Sequence, residues 1–296
     1  MSVADRHRAE GAAPRLRWWK EAAIVSVFYA MYSAIRNRFG SFHLDDGGLP
    51  LAQFRHAMQV VRVERAFGLY HERDIQLLFL AHHRFLQFWN VFYGTAHFAV
   101  TIFTFVCLYR FSSARFVRWR NTLACTTALA LVGFSLFPLM PPRLLSSPRP
   151  YGGASLAATA HTPARLDFTD TLEVDGGLWS FDSGSMTRIS NQYAAMPSLH
   201  MAWSTWCVLA LWPLAARHRH RRWLRWLAVV YPFATLFGII ITANHFWLDA
   251  AGGLAILGCG WWLGNRLEDF NQRRLVSSRR LGLARRDVLT PQNEGQ

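Results

Sequence analysis

The sequence predicts an all-α, polytopic membrane protein, a bundle of six transmembrane helices plus an interfacial amphipathic helix. Hydrophobic residues make up 52% of the 296-residue chain and gather into runs long enough to enter a bilayer. Charged residues concentrate in the tails and between the runs, so a mean hydropathy of only +0.09 averages two kinds of segment. The net charge of +14 comes from arginine-rich segments that flank the runs.

The first half of the chain contains three predicted spans. A basic tail, residues 1–20, precedes a first span at about 22–35. Residues 39–85 mix apolar and charged positions, which predicts an amphipathic helix that lies along the interface and forms a roof over the site. The second and third spans cover about 86–109 and 121–137. The apolar positions with helical spacing in the interfacial segment are Leu51, Phe54, Met58 and Val61.

The second half begins with a polar loop, 138–195, that is too long for a connector and predicts a substrate-recognition segment or a lid. Three further spans follow at about 197–216, 227–243 and 246–264. Gly260 and Gly264 in the last span form a small-xxx-small pair that favours close helix packing. A basic tail, 266–296, ends the chain, so the predicted membrane domain is 21–265.

Basic loops predict the orientation in the membrane. Arginines are dense at 110–120 and 217–225, and such loops face the cytoplasm in most membrane proteins. Six spans then put both arginine-rich termini in the cytoplasm and the candidate site at the outer face of what we expect to be the plasma membrane. Arg36 and Arg38 lie on the wrong side in this scheme. A cytoplasmic location, and not nucleic-acid binding, is the preferred explanation for the basic residues of these loops.

The four cysteines lie inside apolar runs without CxxC spacing, so we expect neither disulfides nor a zinc site. They are Cys107, Cys125, Cys207 and Cys259.

The stretch Asn191-Gln-Tyr-Ala-Ala-Met-Pro-Ser-Leu-His200 leads into the fourth span. Pro197 fits a first helical turn, where its missing N–H costs nothing, and Ser198 can cap the helix or donate a hydrogen bond. The free N–H groups of a helix start stabilise an anion, and His200 stands within reach as a proton donor. Asn191 is a further, weaker candidate. The alternative is an ordinary helix start with an interfacial histidine.

A second motif, Asn244-His245-Phe-Trp-Leu-Asp249, opens the sixth span. Residues four apart share a helix face, so the Asp249 carboxylate can accept from one nitrogen of His245 and leave the other as a nucleophile. A self-satisfied structural pair and half of a metal site are the alternatives. Ionisable groups inside membrane helices are usually functional, and no further ligands recur nearby at metal-binding spacing.

Three polar residues in the second span, Asn90, Tyr93 and His97, line one helix face. A structural hydrogen-bond network explains them about as well as a substrate contact does, and His97 is a weak site candidate.

These motifs resemble the type 2 phosphatidic acid phosphatase superfamily. The match over roughly residues 60–265 rests on the Met-Pro-Pro-Arg143 stretch, Ala-Met-Pro-Ser-Leu-His200 and His245-Phe-Trp-Leu-Asp249, in that order and with six spans. Within the superfamily the sequence is most similar to the inositol phosphorylceramide synthase-like branch, whose members are inositol phosphotransferases.

The resemblance implies phosphoryl transfer through a phosphohistidine, without a metal or other cofactor. It implies that His245 attacks phosphorus, Asp249 orients it, and His200 protonates the leaving group, while Ser198 and Arg143 hold phosphate oxygens. Electrostatic stabilisation of those oxygens is what such a transition state requires.

Two cations of the usual superfamily signatures are missing. Leu136 stands at the position of the usual Lys, and Ile239 at that of the usual Arg; the one lysine of the chain is Lys20. Arg188 or Arg149 of the long loop is a candidate to compensate.

We therefore expect a membrane enzyme that acts on a phospholipid or lipid phosphate, with inositol, another polyol or water as acceptor, and with no nucleic acid as partner. The alternatives are a lipid phosphate or polyprenyl (pyro)phosphate phosphatase and a non-catalytic transporter or lipid-binding scaffold.

Overall fold

α-Helices form almost all of the regular structure, which confirms the all-α class. The computed structural model describes residues 16–40, 49–149, 151–159, 166–177, 192–216 and 220–289. Within these residues there are ten α-helices and one short 3₁₀ helix, Pro142–Leu144. The α-helices are α1 (Trp18–Gly40), α2 (Leu51–Ala66), α3 (Glu72–Leu77), α4 (His83–Phe111), α5 (Ser113–Leu136), α6 (Ala154–Thr159), α7 (Thr171–Val174), α8 (Leu199–Ala216), α9 (Arg221–Ile241) and α10 (Trp247–Leu289).

Six long helices, α1, α4, α5, α8, α9 and α10, correspond to the six predicted spans. By length and composition, two segments of the described chain qualify as membrane spans, His83–Phe111 and Arg222–Ile241. Helix α5 carries Arg120 and Asn121 in its first half, and these polar residues lower its mean hydropathy. These two helices are long and apolar enough to cross a membrane, while the six-span arrangement stays a prediction.

Helix α10 packs closely along α5, as the small-xxx-small pair predicts. A Cβ atom on Gly264 would lie 2.8 Å from the backbone nitrogen of Thr122, and one on Gly260 would lie 2.7 Å from that of Thr126. Both contacts are with backbone that cannot move aside, so the two glycines permit this approach. Helix α10 then continues to Leu289, well into the predicted C-terminal tail.

Four helix ends meet at one end of the bundle. Helices α5 and α9 end there and α8 and α10 begin there, and backbone hydrogen bonds join the connecting segments. Arg143 N donates to Ala243 O at 2.8 Å, and Ser198 N donates to Asp249 O at 2.8 Å. The two sequence motifs and the Met-Pro-Pro-Arg stretch therefore come together although they are far apart along the chain.

Helix α2 lies over these connecting segments. Its apolar face packs in one buried cluster with residues that surround the 3₁₀ helix and with Phe246. Phe54 and Val61 are buried and Met58 is partly buried, as predicted, whereas Leu51 is 42% exposed because it is the first residue of the helix. Helix α2 thus covers the part of the bundle that carries Arg143 and His245.

Candidate active site

His245 and Asp249 form a buried pair at the start of α10. His245 precedes the helix by two residues and is not part of it, contrary to the predicted shared helix face. The Asp249 carboxylate, in the first turn, reaches back instead: its Oδ2 accepts from Phe246 N at 2.9 Å and from His245 Nδ1 at 3.2 Å. His245 is 3% exposed and Asp249 is 0% exposed. One carboxylate oxygen therefore caps the helix and orients the imidazole.

The other imidazole nitrogen is available for chemistry. His245 Nε2 is buried and has no hydrogen-bond partner among the residues that the structure describes. A buried polar atom without a partner costs free energy and is uncommon in folded proteins. With Nδ1–H donating to Asp249, Nε2 carries the lone pair, which is the state that a nucleophile requires.

The ring of His200 lies beside that of His245. The centroids of the His200 and His245 rings are 5.6 Å apart, and the rings are inclined by 60°. This separation lets both imidazoles contact one phosphoryl group. The structure thus brings together two motifs that are 45 positions apart in the sequence.

Ser198 links the two motifs. Its N–H donates to Asp249 O, and its Oγ accepts from Met201 N at 3.4 Å, so it caps α8 as predicted. Pro197 is not in the first helical turn, because α8 begins at Leu199 and Ser198 takes the cap position. The Ser198 side chain is completely buried beside the pair.

Arg143 is held beside the second motif by two partners from different segments. Its Nε donates to Asn244 Oδ1 at 3.0 Å, and its Nη1 donates to Asp170 Oδ2 at 2.6 Å. Asp170 also caps α7 through Leu172 N. The guanidinium is 6% exposed and is anchored to the residue that immediately precedes His245.

The polar residues on one face of α4 differ in their surroundings: one belongs to a structural hydrogen-bond network, and two lie beside His200. Asn90 has a structural role, because its side-chain amide donates to Thr171 O and Gly176 O and ties the long loop to the bundle. Tyr93 stacks on His200 with ring centroids 4.2 Å apart, and the His97 ring lies 4.5 Å from that of His200. A small cavity of about 10 Å³ adjoins these three rings.

The sequence matches one known protein family. The family model of the PAP2 superfamily matches residues 58–263, which is more than half of the chain and includes both motifs. The chain belongs to the PAP2 superfamily. Membership makes it a phosphatase-type enzyme, and PAP2 proteins generally act on lipid phosphates. Comparisons with curated proteins and with solved structures gave no match.

Some predicted PAP2 site residues are not placed in the site. Asn191 and Arg188 lie outside the residues that the structure describes. Arg149 forms an ion pair with Glu173 at 2.7 Å, and both side chains are partly exposed. Ile239, which stands where most PAP2 enzymes have an arginine, is buried, and its carbonyl accepts from His245 N at 3.2 Å.

Sequence analysis missed four residues around the PAP2 motifs. Asn244 and Asp170 hold Arg143, and no local pattern in the sequence pairs them with it. Glu64 and Glu72 accept from the backbone N–H groups of Leu248 and Trp247 at the start of α10. Glu64 had a detectable signal, since it continues the helical spacing of the buried residues of α2, where a charged residue is unexpected.

In the described part of this PAP2 protein, no group of three or more His, Cys, Asp or Glu residues could hold a metal ion.

Replacing His97 by phenylalanine is expected to lower turnover by less than about tenfold, because the phenylalanine ring can keep the packing of His97 on His200, whose ring centroid lies 4.5 Å away. Loss of a general acid costs about 10²–10⁴-fold, so the two roles are well separated in magnitude. Steady-state hydrolysis of a lipid phosphate by the purified variant is the measurement. A loss of 100-fold or more in folded protein would place His97 among the proton-transfer groups.

Proposed function

We propose that this PAP2 protein is a lipid phosphotransferase that works through a phosphohistidine at His245. The observation that carries the proposal is the buried Nε2 of His245, which has no hydrogen-bond partner in the described part of the chain. The other ring nitrogen is fixed by Asp249, and the ring lies 5.6 Å from that of His200. The separation of the two rings supports a site in which both imidazoles reach the same phosphoryl group.

In the first step, His245 Nε2 attacks the phosphorus of a phospholipid or lipid phosphate. The N–P bond forms while the bond from phosphorus to the leaving oxygen breaks, and His200 gives its proton to that oxygen. The Asp249 carboxylate stabilises the positive charge that develops on the His245 ring.

In the second step, an acceptor hydroxyl attacks the phosphohistidine. His200 takes the hydroxyl proton, the N–P bond breaks, and Nε2 recovers its lone pair. Arg143 and Ser198 hold phosphate oxygens throughout, and both side chains are already anchored beside the histidines. Donors fixed before the reaction stabilise the transition-state charge at little cost in reorganisation.

The acceptor in this proposal is a polyol such as inositol, in line with the inositol phosphorylceramide synthase-like branch. A phosphatase that uses water is the second candidate, supported by the general activity of PAP2 proteins on lipid phosphates. The experiment is an assay of detergent-solubilised protein with phosphatidic acid labelled in its phosphate group, with and without inositol. A labelled inositol phosphate product would support transfer, and free phosphate as the sole product would contradict it.

The proposed protein spans the plasma membrane six times, with both termini in the cytoplasm and the site at the outer face. The support is the alternation of the long helices, which puts the arginine-rich segments near 110–120 and 220–225 at the end of the bundle opposite the two histidines. Labelling of single cysteines introduced at the two ends of the bundle in intact cells would test the orientation.

A further inference from the structure

The first turn of α10 is capped by carboxyl groups from three different elements. Leu248 N donates to Glu64 Oε1 of α2 at 2.8 Å, and Trp247 N donates to Glu72 Oε1 of α3 at 3.2 Å. Phe246 N donates to Asp249. Three successive N–H groups that a helix start leaves unpaired are thus satisfied, and the segment they anchor is the one that carries His245 and Asp249.

Glu64 and Glu72 are both 0% exposed, and no lysine or arginine pairs with either carboxyl group in the described part of the chain. Their second oxygens, Oε2, are buried without a donor among the described residues. The other titratable groups facing the pair are Asp249 of α10 and the Tyr70 phenol between α2 and α3. Each of these adds negative charge when it is ionised, so two carboxylates would repel one another strongly here.

A single proton shared between the two Oε2 atoms would remove the repulsion between the two carboxylates. Burial raises the pKa of both Glu64 and Glu72, and a hydrogen bond between their side chains raises that of Glu64 further, to about 10. One carboxyl group then donates to the other through Oε2, while the two Oε1 atoms remain acceptors for the helix N–H groups. A carboxyl pair that holds one proton is well known where like charges are close.

We propose that Glu64 and Glu72 share a single proton and act as a positioning pair, which fixes the start of α10 and thereby holds the His245–Asp249 pair in register with His200. The proposal rests on the proposed function, since it assigns the pair a role in that same site. Neither glutamate contacts the reacting atoms. Their effect reaches the reaction through Trp247 and Leu248, the two residues that separate His245 and Phe246 from Asp249.

A single shared proton predicts that single and double glutamine substitutions have different effects. In Glu64→Gln, the amide oxygen accepts from Leu248 N and the amide nitrogen donates to Glu72, which reproduces the protonated acid. Glu72→Gln does the same with the roles exchanged. In the double variant the two NH₂ groups face each other with no acceptor between them, unless one amide turns and loses its helix N–H.

The test compares E64Q, E72Q, E64Q/E72Q and E64L with wild type in kcat and KM for a short-chain phosphatidic acid, in detergent. We expect each single glutamine variant to stay within about threefold of wild type. The double variant and E64L should lose on the order of 100-fold in kcat with little change in KM, the size of effect that a 1 Å misplacement produces. Glu268→Leu, which removes an acid near the middle of α10, 19 positions after Asp249, should retain wild-type kcat.

Two controls separate this proposal from the function on which it rests. If His245→Ala remains active, the phosphohistidine mechanism fails whatever the glutamates do. If His245→Ala is inactive, the double variant elutes as folded protein and its kcat equals that of wild type, the positioning role is wrong. A 100-fold loss in both single glutamine variants would exclude the shared proton, and this outcome is readable even if E64L does not fold.

Discussion

Replacement of His245 by alanine is expected to reduce turnover by about 10⁴-fold or more, because the variant has no atom to form the N–P bond. The loss should appear in kcat, since Arg143 and Ser198, the proposed phosphate-binding groups, are retained. The measurement is release of labelled product from a lipid phosphate. Acid-labile label retained on wild-type protein and absent from the variant would identify the intermediate.

His220→Ala is a suitable control, because His220 lies at the arginine-rich end of the bundle, before α9. It should leave both turnover and trapped label unchanged. Wild-type turnover in folded His245→Ala protein would contradict the phosphohistidine mechanism. It would show that this protein does not use His245 as a nucleophile, as the transporter and scaffold alternatives require.

Replacement of Arg143 by methionine is expected to lower kcat about 10²–10³-fold, the usual cost of removing one donor that stabilises transition-state charge. The side chain keeps most of its length but loses its contacts with Asn244 and Asp170. Arg143→Lys should fall between the variant and wild type, because an ammonium group cannot reproduce the planar guanidinium fork. Steady-state kinetics of the three proteins are the measurement.

The Asp170 carboxylate loses its ion pair when Arg143 is replaced, and a variant that also removes this carboxylate is the control. Methionine at position 143 leaves the Asp170 carboxylate, which is 11% exposed, without its cation, and this alone could disturb the loop. In the double variant Arg143→Met/Asp170→Asn that charge is absent. If the loss comes from the phosphate contact, the double variant stays as slow as Arg143→Met; recovery to near wild-type kcat would show that Arg143 only stabilises the loop.

The parts of the site that could be predicted from the sequence are those with a local signal. The His245 and Asp249 spacing predicts their hydrogen bond, and the i, i+3, i+7 pattern of α4 predicts that Tyr93 and His97 face the same way. The order and alternation of the apolar runs place both motifs at one end of the bundle. Only a structure could add that the two rings lie 5.6 Å apart.

The site residues that could not be predicted depend on contacts between segments that are distant along the chain. Arg143 is paired with Asn244 and Asp170, which are separated from it by 101 and 27 positions, and loop residues of these types are common throughout the sequence. Glu64 and Glu72 are acids of two neighbouring helices in a segment whose mixed composition is typical of a solvated interface, and their burial follows only from how α2 and α3 pack against α10. Tertiary packing, which no local periodicity encodes, decides their roles.

The burial of His245 has a consequence for the fate of the proposed intermediate. An imidazole that is 3% exposed, beneath α2 and beside the ring of Tyr93, sits where bulk solvent has almost no access. A phosphohistidine formed there would be shielded from spontaneous loss to water, since exclusion of solvent protects reactive intermediates from hydrolysis. Its lifetime would then depend on how soon an acceptor alcohol reaches His245, and the exclusion of water at this end of the bundle would favour transfer to that alcohol over hydrolysis.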